Sequence, residues 1–445
     1  MPYHLATPAF APVIVPYLST YYFCWGGGHP GAVESSRQGQ AVAESTENIE
    51  PQKRRLLFWF GVLLCVGIAF ALNRSPAIRT QSDLFARWYA SRQLLTSGRN
   101  IYDLRNGQEV ARYKNIPTTA LEAIFFYPAH LLVFVAPLSL LPFEVAHLIW
   151  TIAILLFLFL GIWLVTDALR WPPQANHLAA FILAALLFIL SLQVAIWSQF
   201  DTLAVLFLAL TYLACLQERY FLAGVWLSGL TFKPQIALLT LGMLLLWAAL
   251  DRKRWRLLLG FGLSLVLLWG IAEALQPGWV GDFLVALRQY QELPYQIDSV
   301  LDQVWNPAQG LAAALLLVCV GVFISCHRLS PGAPPFWACL ALSLAAWWLV
   351  VPIIGMMHLV LMPLAVAFLL AAIQQVLPRW HRPALLAFLL LYILGYAGFI
   401  YGLITPGLYG QHIALAEIAY KVFAPLLVLS GALAVVFSVW RRKTI

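Results

Sequence analysis

Residues 145–169 read VAHLIWTIAILLFLFLGIWLVTDAL. An α-helix of that length rises about 37 Å, which is more than the ~30 Å hydrocarbon core of a bilayer. Other apolar runs of about 16 to 26 residues follow along the chain, with short polar connectors between them. Because lipid cannot hydrogen-bond to the backbone, these runs must be helices. The sequence therefore predicts an all-α integral membrane protein.

The composition supports the same class. Hydrophobic residues make up 62% of the chain and charged residues 10%, whereas about 25% of the residues in a soluble domain are charged. The net charge of +8 is spread over connectors and the tail, so we expect no nucleic-acid partner. The six cysteines show no ligand spacing, and we expect no zinc site, no disulfide and no cofactor.

Basic residues predict the orientation. The first span, about Leu56 to Leu72, follows Lys53, Arg54 and Arg55, so the positive-inside rule places residues 1–55 in the cytoplasm, as a poorly ordered tail. The basic connectors at 251–256 and 378–383, and the tail at 441–443, should face the same side.

The number of spans must agree with that orientation. The basic connectors all fall on the cytoplasmic side if the proline-containing segment 125–142 does not cross the membrane and is instead re-entrant or interfacial. This leaves about twelve spans in residues 56–445. Two outer loops follow, a long one at 73–144 with amphipathic helices and a second at 277–309. One alternative stays open: if residues 220–232 and 234–250 form one helix, the orientation of the later spans changes.

Asp83 is the first candidate for chemistry. The pattern from Thr80 to Leu95 predicts an amphipathic helix at the membrane surface, ended by Ser97 and Gly98. Arg79, Asp83 and Arg87 recur at four-residue spacing, which is typical of an exposed ion-pair ladder. The functional alternative is a carboxylate that takes a proton from a hydroxyl at the lipid surface.

Lys233 is the second candidate, because the segment GLTFKPQ (229–235) interrupts two apolar runs. A helix that begins at Pro234 would present its positive end beside Lys233 and form an anion site for a phosphate. The alternative is a lysine at a helix end whose ammonium reaches the interface.

Two further polar positions fall in apolar surroundings. In SQFD (198–201), Gln199 could hold a sugar hydroxyl, and the alternative is a cap in which Ser198 or Asp201 binds free amides. His358 opens an apolar run, and a membrane-buried histidine predicts a functional site. Its alternative is a helix-end histidine bonded to a neighbour.

The order of these motifs resembles a known family. The segments are DLFARWY (83–89), GRNIYD (98–103), FYP (126–128), APLSLLP (136–142), Trp150, SQFD (198–201), Ala223-Gly224 and FKPQ (232–235). Over about residues 75–260 they resemble glycosyltransferase family 87, which uses polyprenyl-phosphate sugars and belongs to the GT-C superfamily. Ala129 and Ser198 stand where that family usually has a proline and a glycine.

The resemblance implies a GT-C-like bundle in the cell membrane, with its active site on the extracytoplasmic side. It implies a polyprenyl-phosphate-linked sugar as donor, a lipid or glycan as acceptor, and transfer of a mannose-like hexose with inversion. Asp83 would be the catalytic base, and no metal is needed. Substrate-binding residues would be Arg87, Tyr127, Gln199, Asp201, Lys233, Gln235 and His358.

Two other functions stay open at this stage. A lipid or sugar transporter or flippase would show inverted repeats with paired broken helices, and the sequence contains one Lys-Pro break without a convincing second copy. A structural membrane scaffold would account for the helices but not for the polar outer loop.

Overall fold

The computed structural model of the chain describes residues 50–114, 123–172, 174–291, 300–301, 309–351, 356–404 and 418–443. The predicted tail up to residue 49, and much of the predicted second outer loop, lie outside the described residues. Across the described ranges the chain forms helices and no strand. This confirms the all-α prediction.

The helices follow one another with short connections. The α-helices are Pro51–Asn73, Pro76–Gln81, Asp83–Ser97, Leu104–Lys114, Leu132–Ser139, Phe143–Leu169, Ala175–Leu186, Ile189–Ile196, Asp201–Leu216, Tyr220–Leu227, Leu238–Ala249, Trp255–Leu275, Trp279–Gln291, Gln309–Ser325, Pro334–Val350, Met362–Val376, Pro378–Ile404 and Ala424–Lys443. The 3-10 helices are Ala129–Leu131, Ser228–Phe232, Pro234–Ile236, Arg252–Arg254 and Met356–Leu361, and a π-helix covers Ile418–Phe423.

Six of the described helices are long and apolar enough to cross a membrane, or seven if the bent pair Ala175–Leu186 and Ile189–Ile196 is one span. The chain is therefore a multi-pass membrane protein. The predicted count of about twelve spans is not confirmed, because several apolar runs form helices of only 10–17 residues. A twelve-residue helix rises about 18 Å, which is short of the hydrocarbon thickness.

The first two long helices form an antiparallel pair. Arg54, near the start of Pro51–Asn73, forms an ion pair with Asp167 near the end of Phe143–Leu169. At the opposite end, the Nδ1 atom of His147 lies 2.7 Å from the Oδ1 atom of Asn73. Residues 74–142, between these helices, fall within the predicted first outer loop, whose side of the membrane stays a prediction.

The segment predicted to be re-entrant contains two short helices, Ala129–Leu131 and Leu132–Ser139. Together their eleven residues rise no more than about 20 Å, too little to cross the bilayer. The indole nitrogen of Trp88 donates to the carbonyls of Leu138 and Leu141, each at 3.2 Å. The segment is therefore attached to the helix Asp83–Ser97, and its depth in the membrane stays a prediction.

Residues 220–249 fold back on themselves instead of forming one helix. The chain is helical from Tyr220 to Phe232, breaks at Lys233, where φ is −145°, and is helical again from Leu238. The rings of Tyr220 and Trp247 lie 6.1 Å apart, so the far ends of the two segments meet. The alternative of a single helix is therefore wrong.

Two glycines allow a close helix crossing. A Cβ added to Gly224 would lie 2.0 Å from the carbonyl oxygen of Leu257, and one added to Gly260 would lie 2.0 Å from that of Phe221. Small residues at such crossings let helix backbones approach each other in membranes. The close packing of the helix Trp255–Leu275 against Tyr220–Leu227 thus depends on glycine at this crossing.

We expect Gly260→Ala to destabilise the protein by about 1–3 kcal/mol, because the new methyl group overlaps backbone atoms that must move. Gly262→Ala is the matched control, since a Cβ there meets nothing within 4 Å. The measurement is thermal unfolding of the purified protein in detergent. Equal midpoints for the two variants would contradict the proposed crossing.

Candidate active site

The amide of Gln199 joins polar groups from three segments of the chain. Its Oε1 atom accepts hydrogen bonds from Lys233 Nζ at 3.1 Å and from the Tyr127 hydroxyl at 3.2 Å. Its Nε2 atom donates to the Asp83 carboxylate. The structure thus brings together residues that lie up to 150 positions apart in the sequence.

Asp83 is the first residue of the helix Asp83–Ser97, and Ser82 caps that helix by accepting from the Leu84 amide at 3.2 Å. The carboxylate therefore lies in the first turn of the helix. The Asp83 amide donates to the Trp197 carbonyl at 2.9 Å. The side chain is 29% exposed, so an approaching group can reach the carboxylate.

The predicted surface helix needs correction. Ser82 separates the short helix Pro76–Gln81 from the helix Asp83–Ser97, so Arg79 does not continue the face of Asp83 and Arg87. The second helix ends at Ser97, with Gly98 in the left-handed conformation, as predicted. Seven of its fifteen side chains are buried, and its predicted position at the membrane surface stays a prediction.

Arg87 is buried and contacts Tyr127. Its guanidinium lies 5.1 Å from the centre of the Tyr127 ring, and its Nη1 atom donates to the Asp83 carbonyl at 3.1 Å. Nη1 is 4.0 Å from the Asp83 carboxylate. The Arg87 Nε atom is buried and has no hydrogen-bond partner in the part of the chain that the structure describes. An exposed ion-pair ladder is therefore wrong, and the guanidinium keeps a free donor.

Asp201 is fully buried between two partners. One carboxylate oxygen accepts from Lys233 Nζ at 2.6 Å, and the other lies 2.5 Å from His358 Nδ1. Phe200, not Asp201, occupies the cap position of the helix Asp201–Leu216. The cap interpretation of Asp201 is therefore wrong. Lys233 is 5% exposed, so a lysine that reaches toward the interface is wrong as well.

The predicted helix end at Lys233 also needs correction. Pro234–Ile236 forms only a 3-10 turn, and the α-helix begins at Leu238 after a second break at Ala237. The positive helix end that lies beside Lys233 belongs instead to Asp201–Leu216, through the Asp201 ion pair. The sequence suggested the helix that follows Lys233, because the contact between Lys233 and Asp201 joins residues that are distant in the chain.

Gln235 stays outside these contacts. It is half-buried, and its carbonyl accepts a hydrogen bond from the indole of Trp347 at 2.8 Å. Its predicted role in substrate binding stays a prediction.

A second group of polar contacts supports the turn that carries Gln199. The sequence did not predict these contacts. The Ser198 hydroxyl lies 3.1 Å from His147 Nε2, and His147 Nδ1 contacts Asn73. Trp150 donates to the Ser198 carbonyl at 3.2 Å. These contacts fasten the turn that carries Gln199 to both long helices. A histidine in an apolar run was the available signal for His147.

Hydrogen bonds and one ion pair hold the segment after Ser97 against the helix Asp83–Ser97. Glu109 accepts from the Tyr89 hydroxyl at 2.5 Å and from Arg99 at 2.7 Å. Both bonds lower the pKa of the Glu109 carboxyl, because they favour its charged form. Asn100 donates to Asp282 at 2.6 Å, which joins the loop to the helix Trp279–Gln291.

Comparison with protein-family models gives one family. The model described as glycosyltransferase family 87 matches residues 125–355, just over half of the chain. The match includes Tyr127, Gln199, Asp201 and Lys233 and ends before His358, whereas Asp83 lies upstream of it. A search of curated proteins found no match.

Substitutions at Ser198 can test the backbone conformation of the turn that carries Gln199. Its φ of +52° lies in the left-handed region, which costs a residue with a Cβ about 1–2 kcal/mol. Ser198→Gly and Ser198→Ala both lose the hydroxyl, so their difference isolates the backbone. We expect the glycine variant to be the more stable by about 1 kcal/mol in thermal unfolding. An alanine variant of equal or higher stability would contradict this.

Substitutions of Lys233 and Asp201 can test the buried ion pair. Lys233→Met or Asp201→Asn alone should cost about 3–5 kcal/mol, because each leaves a buried charge without its partner. The double variant should lose far less than the sum of the two. Unfolding midpoints of the four proteins in detergent measure this coupling, and additive losses would argue against a shared buried pair.

Proposed function

The chain belongs to glycosyltransferase family 87, and from this membership we propose that it transfers a mannose-like hexose from a polyprenyl-phosphate donor to a lipid or glycan acceptor. The family and the apolar helices make the chain a membrane glycosyltransferase. The donor, the acceptor and the residue roles are the proposal. The contact between Gln199 and Asp83 carries it.

Asp83 acts as the general base. Its carboxylate is partly exposed, and the amide of Gln199 holds it in place. The acceptor hydroxyl gives its proton to Asp83 while its oxygen attacks the anomeric carbon. The bond from that carbon to the phosphate oxygen breaks, and the electron pair leaves with the polyprenyl phosphate. Attack from the face opposite the phosphate inverts the anomeric centre.

Arg87 holds the phosphate of the donor. Its buried Nε donor has no partner among the described residues, and a guanidinium matches the geometry of phosphate oxygens. Lys233 contributes less direct stabilisation, because Asp201 already balances its charge. Tyr127 packs against both cations, whose charged groups lie 5.1 and 5.6 Å from the centre of its ring.

One long helix supports the proposal that the site lies on the extracytoplasmic side. Phe143–Leu169 has 27 residues and rises about 40 Å. Arg54 pairs with Asp167 near one end, while His147 near the other end contacts Ser198, next to Gln199. Arg54 belongs to the basic cluster that the positive-inside rule assigns to the cytoplasm, which favours an outer site.

We expect Asp83→Asn to reduce sugar transfer by about 10²- to 10⁴-fold, because an amide cannot accept the hydroxyl proton. The measurement is transfer of radiolabelled sugar from polyprenyl phosphate by purified protein in liposomes. Asp103→Asn is the matched control: it is an outer-loop carboxylate paired with Arg105 at 2.6 Å, away from Gln199.

Equal transfer by wild type and Asp83→Asn would remove Asp83 from the mechanism. A transporter would give a different result in the same liposomes, namely movement of the labelled lipid across the membrane without a new glycosidic bond. That outcome would overturn the proposed donor chemistry as a whole.

A further inference from the structure

His130 carries a polar atom that the mechanism above does not use. The residue is 2% exposed, and its Nε2 atom lies 3.1 Å from the Thr231 carbonyl and 3.2 Å from the Thr231 hydroxyl. Its Nδ1 atom is buried and has no hydrogen-bond partner among the residues that the structure describes. A buried polar atom without a partner destabilises the folded protein.

The contacts of Thr231 determine where the proton of His130 lies. The Thr231 hydroxyl donates its own proton to the Ser228 carbonyl at 2.6 Å. Both Thr231 oxygens that face His130 are therefore acceptors, so Nε2 must be the protonated nitrogen. The neutral ring then presents a bare lone pair at Nδ1, which accepts a hydrogen bond.

His130 lies between the two segments that supply the site. Tyr127 precedes it by three residues, and Thr231 precedes Lys233 by two, so the contact between His130 and Thr231 fastens the segments together. The ring lies 5.0 Å from the ring of Phe232 and 6.0 Å from that of Trp279.

We propose that Nδ1 of His130 accepts a hydrogen bond from a sugar hydroxyl, so that His130 is a substrate-binding residue of the active site. This inference rests on the proposed glycosyl transfer. The hydroxyl belongs either to the sugar of the donor or to a glycan acceptor, and the two sources share the same chemistry. Pairing with a hydroxyl removes the cost of the buried lone pair and ties substrate binding to the segment that ends at Lys233.

Two substitutions test the roles of the two ring nitrogens of His130 separately. His130→Gln places an amide donor near Nε2 and keeps the Thr231 contact, but removes the acceptor at Nδ1. His130→Asn places an amide oxygen near Nδ1 and loses the Thr231 contact. The measurements are KM for polyprenyl-phosphate sugar, KM for the acceptor, kcat and the thermal unfolding midpoint of each purified protein.

We expect His130→Gln to keep the wild-type midpoint and to raise one KM by about 5- to 10-fold, the loss of one hydrogen bond. The substrate whose KM rises identifies the source of the hydroxyl. His130→Asn should keep that KM within about 2-fold of wild type, at a lower midpoint. If His130→Asn does not fold, Thr231→Val replaces it, since that variant disturbs the same contact and leaves Nδ1 in place.

The reverse pattern, a normal KM in His130→Gln and a raised one in His130→Asn, would overturn the inference. A His130→Gln protein that fails to fold would also overturn it, because Nδ1 would then serve the fold. Both results are distinct from failure of the proposed function, in which the wild-type protein transfers no sugar at all.

Discussion

The site depends on one buried carboxylate. Asp201 is fully enclosed by protein and accepts from both Lys233 and His358, so three distant segments must meet before its charge is balanced. An unpaired charge at that depth would cost several kcal/mol. The ion pair therefore fixes the break at Lys233 against the start of the helix Asp201–Leu216, and the rest of the site is built on that contact.

Gln199 connects the buried ion pair to Asp83. Lys233 and Tyr127 donate to its oxygen, which leaves its amide nitrogen to face Asp83. The orientation of the amide is thus set by its neighbours, and Asp83 is held on the side away from the buried ion pair. One carboxylate is buried and paired with Lys233, while the other is partly exposed.

Helix breaks place these groups. Lys233 stands between two 3-10 turns, Ser198 adopts a left-handed conformation, and Ser82 separates two helices. At each break a polar side chain leaves the regular helix and turns toward the others. Continuous helices would have buried these side chains on separate faces, or directed them to lipid.

The sequence by itself determined the helical class, the membrane environment and the candidate residues, because apolar runs in lipid permit only helices and make polar exceptions conspicuous. It also indicated the break at Lys233, since proline ends a helix pattern. Only the tertiary structure decided that Asp201 pairs with Lys233 and His358, and that Arg87 is buried instead of exposed. Those contacts join residues far apart in the chain, and local patterns of charge and hydrophobicity do not encode which distant groups will meet.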